Sequence, residues 1–150
     1  MQLWAYTLSI DEDHALGHSL MGAAMVESKR PLEAMPHLRR ALELRPGLLE
    51  ASYTLSRTAF TQGDLEEAER VAREGLTHWP GNVTLERLVG DCRLWRDDWA
   101  GAAVMYEKVL ATDPNIASVH ANLGKALGEM GRIDAAMTHL QRAAELQPER

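Results

Sequence analysis

The stretch NLGKALGEMGRIDAAMTHLQRAAELQP, Asn122 to Pro148, decides the fold of this chain. Leu123 and Leu127, then Ala136, Leu140 and Ala143, recur at three- and four-residue intervals, the spacing that puts apolar side chains on one face of a helix. Gly131-Arg132 between the two runs is turn chemistry. Pro148 has no amide hydrogen and restricts the residue before it, so the second helix is predicted to stop near Gln147. The stretch therefore reads as helix, turn, helix, stop.

Worked outward, the same reading returns along the chain. Pro46, Pro80, Pro114 and Pro148 are 34 residues apart each time, a spacing that marks an internal repeat. Ala34, Ala68, Ala102 and Ala136 share that register, as do Met21, Leu55, Val89 and Leu123. A small residue recurs at Gly22, Ser56, Gly90 and Gly124, where two helix backbones are expected to approach closely. Breaks fall at Gly63-Asp64 and Asp97-Asp98 as well, and the remaining helix ends are predicted near Arg45, Trp79 and Asp113. No strand is supported. Pro36 lies inside the second helix of the first complete period, where it forfeits a backbone bond to Leu32, so a kink or a late start is expected there.

This pattern resembles the tetratricopeptide repeat, whose consensus sets Trp, Leu-Gly, Tyr, Ala, Phe and Pro at fixed offsets. The fourth period carries it as Leu123-Gly124, Leu127, Ala136, Leu140, Ala143 and Pro148, with His120 where the family prefers tryptophan. Ser52, Ser56, Ala59, Ala72 and Gly75 in the second period, and Glu86 and Arg93 in the third, depart from it, and looser packing is expected there. The resemblance implies an all-α, right-handed α-solenoid of antiparallel helix pairs. It places repeats at 15–48, 49–82, 83–116 and 117–150 in a single domain, with a half repeat at 1–14 that puts Leu8 in register with Leu42, Leu76 and Leu110. Solenoids cap their last helix pair with a polar face, and only Glu149 and Arg150 follow the last proline here. The expectation is a piece of a longer protein, or else a complete one that covers Leu140, Ala144 and Leu146 by self-association.

In the family, first helices line a concave groove that holds peptides or partner helices. Carried onto this sequence, the groove residues are Tyr53, Arg57 and Phe60 from the second repeat. The third gives Arg87, Asp91, Leu94 and Trp95, and the fourth Ala121, Asn122, Lys125 and Glu129. The first offers Ser19, Ala23, Val26 and Glu27. Aromatic residues and arginine are common interface anchors. Arg57, Asp91 and Lys125 stand one period apart, which leaves two readings open: arginines that pair carboxylates of an acidic or amphipathic segment, or charges that pair with one another along the stack. The two-carboxylate clamp that some members use on chaperone tails is missing, with Ser19, Ala23, Thr54, Thr84 and Leu88 at its places. So is the run of groove asparagines of sugar-transferase superhelices, Asn122 standing alone.

The composition is that of one folded unit. The chain has 150 residues, 45% hydrophobic and 25% charged, with a net charge of -6. That charge disfavours a nucleic-acid partner, because phosphate binding needs a basic surface. The longest apolar run, Trp99 to Tyr106, is too short to span a membrane. Cys92, the lone cysteine, allows neither an internal disulfide nor a cysteine-rich zinc site. His14 and His18 have a metal-compatible spacing but no third ligand, and His37 and His139 read as tolerated surface positions. No nucleophile–base pair, phosphate loop or cofactor motif is present. The function expected is a non-catalytic module or scaffold that binds a protein or peptide, with no cofactor or metal and with self-association through the last helix open. An accessory arm of a glycosyl- or sulfotransferase is the alternative.

Overall fold

The computed structural model describes residues 14–147. The half repeat expected over 1–14 lies, apart from His14, outside the described residues, and so does Pro148. Among the described residues there are eight α-helices and no strand: α1 Ala15–Glu27, α2 Pro31–Leu44, α3 Leu49–Thr61, α4 Leu65–His78, α5 Val83–Trp95, α6 Trp99–Thr112, α7 Ala117–Glu129 and α8 Ile133–Leu146. The chain divides into two compact units, one ending at Pro80 and one beginning at Gly81. The first holds α1–α4 and the second α5–α8, so each contains two helix pairs.

The turn inside each pair is solved the same way. Lys29, Gly63, Asp97 and Gly131, one period apart, all have positive φ, at 58°, 83°, 59° and 76°. A residue in the left-handed region lets the chain reverse direction and return amides to the carbonyls at the helix end. Arg30 N accordingly donates to Met25 O, Asp64 N to Ala59 O, Asp98 N to Arg93 O and Arg132 N to Leu127 O, at 2.9–3.0 Å. Each second helix ends two residues before the repeat proline, or before Pro148 in the case of α8.

Close approach of the paired helices rests on the small-residue position. A Cβ added at Gly22 would stand 2.5 Å from Leu38 Cγ, at Gly90 2.7 Å from Tyr106 Cε1, and at Gly124 2.7 Å from Leu140 Cγ. Ser56, in the same register, is buried and donates its hydroxyl to Ala68 O at 2.7 Å. The alanines that face these positions, Ala34, Ala68 and Ala102, are wholly buried. In the first unit Leu38, Leu55 and Val71 fill the space between helices. In the second, Leu123, Val109, Val119 and Tyr106 do so.

Of the two outcomes expected at Pro36, the late start does not occur. Helix α2 starts on time, at Pro31, and runs unbroken through Pro36 to Leu44. The carbonyl that loses its donor belongs to Leu32, whose residue is 70% exposed in the first turn, where solvent can take the place of the missing amide.

Candidate functional site

The first helices α3, α5 and α7 carry the residues the sequence singled out, and the two units present them in different ways. In the first unit, Arg57 of α3 is exposed and its guanidinium carbon lies 5.1 Å from the centroid of the Tyr53 ring, one turn back. Arg57 Nη1 also reaches Tyr53 Oη at 3.5 Å. This is the i, i+4 neighbourhood of a helix face, and the contact is a cation–π pair. Phe60 is half-buried on the same helix. A cleft of about 420 Å³ opens beside them, lined by Val26, Lys29, Arg57, Thr58 and Gln62 among others. Ser19, which the projection also offered, is 4% exposed and is withdrawn as a contact residue, since its hydroxyl is packed inside.

In the second unit the polar residues form a network. Asp91 Oδ1 accepts from Tyr106 Oη at 2.7 Å and from Asn122 Nδ2 at 3.1 Å, so α5, α6 and α7 are joined at one carboxylate. Burial pushes the Asp91 carboxyl above its ordinary range, against the opposing pull of the Tyr106 hydroxyl, the Arg87 charge and the Asn122 amide. Burial first, and Asp91 second, push the Tyr106 phenol well above its ordinary range. Tyr106 is therefore a fixed donor, and the network is a structural joint rather than an acid–base pair. Lys125 is exposed and lies 5.8 Å over the Trp99 ring. Trp95 is 70% exposed, whereas Leu94, also projected onto this face, is 6% exposed and belongs to the core.

Tyr106 and Trp99 were not among the residues expected. Both lie on a second helix, and the register of Tyr106 is otherwise filled by Leu38, Ala72 and Leu140, so periodicity gave no reason to expect a hydroxyl there. His37 and His139 are also corrected. Neither is a loose surface position: both are half-buried, and each meets a histidine of the preceding helix. His14 Nδ1 accepts from Gly17 N at 2.9 Å and so caps α1. Among the described residues no group of three histidine, cysteine, aspartate or glutamate side chains is placed to hold a metal ion, and no helix is long and apolar enough to cross a membrane.

Paired antiparallel helices on a 34-residue period define a helical-repeat protein of the solenoid class. The chain belongs to the tetratricopeptide repeat family, whose model matches residues 25–83 and 96–150. In fold and family it is a protein-binding module. Among solved structures, one described as the crystal structure of MamA protein superposes with a TM-score of 0.90 at 18% identity, covering 97% of this chain and 80% of that one. Another, MamA 41-end from Desulfovibrio magneticus RS-1, gives a TM-score of 0.85 at 18% identity, over 93% of this chain and 79% of that one. At such identities the likeness is one of fold. No curated protein matches the sequence.

Proposed function

We propose that this chain is a non-catalytic module whose first helices hold acidic or amphipathic segments of a protein partner: in the first unit Arg57 pairs carboxylates beside the apolar surfaces of Tyr53 and Phe60, and in the second Arg87 does so beside Trp95. Asp91, Asn122 and Lys125 border that contact in the second unit. One contrast carries the reading. The arginines of the second helices are matched to carboxylates: Arg39 to Glu67 at 2.6 Å, Arg70 to Glu74 at 2.8 Å and Arg142 to Glu145 at 3.1 Å. Arg57 is instead laid over a tyrosine ring. A guanidinium so placed keeps its Nε and Nη2 hydrogens for a carboxylate from outside.

The test is a titration of tryptophan fluorescence with acidic amphipathic peptides, against wild type and the variant carrying Arg57→Glu and Arg87→Glu. Wild type should bind with an affinity that weakens as salt rises, and the variant should lose at least tenfold while melting within a few degrees of wild type. A variant that binds as well as wild type overturns the proposal. One that melts far lower favours the charges acting within the fold.

A second reading, self-association through α8, has its own observation. Leu38 and Tyr106 are wholly buried, yet Leu140 at the same repeat position is 48% exposed, beside Ile133 at 56% and Met137 at 64%. Sedimentation of wild type beside Met137→Glu separates the readings, because only self-association predicts that the charge lowers the mass.

A further inference from the structure

His18 on α1 faces His37 on α2 with the two Nδ1 atoms 3.0 Å apart, and His120 on α7 faces His139 on α8 at 2.9 Å. The two pairs occupy the same repeat positions, three periods apart. Their ring centroids are 5.3 and 5.2 Å apart, close to the longest separation those nitrogen distances permit, so in each pair the nitrogens point at one another along the line joining the rings. That is the geometry of an N–H···N hydrogen bond, with one ring donating and the other accepting.

In the second pair the roles are fixed. The Pro114 carbonyl can only accept, and it stands 3.0 Å from His120 Nε2. That nitrogen therefore carries the hydrogen, Nδ1 of the neutral ring keeps the lone pair, and His139 Nδ1 donates to it. A metal ion about 2.0–2.1 Å from each nitrogen would not fit between them on that line. Each pair is built around a proton.

We propose that the two histidine pairs are proton-linked latches, holding α1 to α2 and α7 to α8 at neutral pH and releasing them in acid, while the pairs α3–α4 and α5–α6 lack the device. A latch can take one proton and keep its bond, the donating ring becoming the cation. A second proton must go on the accepting nitrogen, which sets N–H against N–H and cation against cation. The unfolded segment takes both freely. Below the ordinary histidine pKa of about 6.5 the open state thus binds more protons, and the opening constant rises by up to about tenfold per pH unit for each proton withheld.

The surroundings agree with that sign. Burial, and then the facing His18, hold His37 below its ordinary range. Burial, and then His120, do the same to His139, with Glu107 of α6 pulling it partly back. The arginines three residues beyond His37 and His139 are matched: Arg40 to Glu43, and Arg142 to Glu145 and Asn115. At the latch positions of the other two repeats stand Ser52 with Val71 and Glu86 with Met105, which make no imidazole pair.

Hydrogen exchange of the whole chain, corrected for the intrinsic rate, tests this between about pH 7.5 and about pH 5. Protection of α1–α2 and α7–α8 should fall about tenfold or more relative to α3–α6. In the variant with His37→Asn and His139→Asn, the amide replaces Nδ1 as donor or acceptor and cannot titrate, so the extra loss should vanish. A uniform loss across the helices in wild type, or an unchanged acid loss in the variant, overturns the proposal. If the variant does not fold, NMR titration of the wild-type histidines decides. Each pair should titrate in two steps, the second well below the ordinary histidine value of about 6.5, and four curves that overlie at that value sink the latch.

Discussion

The repeats α1–α2 and α7–α8 and the repeats α3–α4 and α5–α6 share a backbone plan and fasten it with different chemistry. In the latter, Asp64 and Asp98 cap the second helix, accepting from Glu67 N at 3.0 Å and Gly101 N at 2.9 Å. In the former, Arg30 and Arg132 hold the same register and supply no side-chain cap. There the two helices are instead tied side to side by the histidine pairs. The difference teaches that the period specifies where helices start, turn and cross, while the interactions that secure those points vary from repeat to repeat.

The largest effect should come from the feature all repeats share. Gly124→Leu pushes a side chain into Leu140, which already stands 2.7 Å from a Cβ at that position. It should cost about 1–3 kcal/mol, read as a lowered melting temperature by circular dichroism. A melt like that of wild type would mean that the crossing of α7 and α8 tolerates bulk.

Next come the caps, where the comparison can be reversed. Asp98→Ala should cost about 1 kcal/mol in urea denaturation, and Arg132→Asp, which writes the α6 solution into α8, should return stability of similar size. Equal and small effects at both sites would erase the distinction between the repeats.

The smallest effect is expected at the turns. Lys29 and Asp97 adopt the left-handed conformation that Gly63 and Gly131 adopt in the same register. Asp97→Gly relieves a strain of about 1–2 kcal/mol and adds back part of it as unfolded-chain entropy. A net gain of about 0.5 kcal/mol is expected, against a loss for Gly131→Ala. A loss at both positions would show that the turn in α5–α6 has found its own accommodation.

The fold was legible in the sequence because its cause is periodic. Prolines, small residues and apolar stripes repeat with the geometry they impose, and the chain ends of α2, α4, α6 and α8 follow directly. Of the candidate contact residues, the period gives positions on the first helices and not their neighbours. Arg57 and Trp95 come out exposed on first helices. The joint at Asp91 depends on Tyr106, which departs from its own register, and no spacing along one helix brings Asp91, Tyr106 and Asn122 together. The histidine pairs left a mark that a single-helix reading misses. A separation of 19 residues matches no helix period, yet both members of the pair return together three periods later. Joint recurrence across repeats, rather than spacing within one, was the usable sign.

Cys92 is the chain's sole thiol, and it is wholly buried in α5. A small thiol reagent therefore meets nothing to react with until that helix opens, and the rate at which it is consumed clocks the opening of the second unit alone. The chain thus carries a native chemical timer in one of its two units, against which the breathing of the other can be compared without a label.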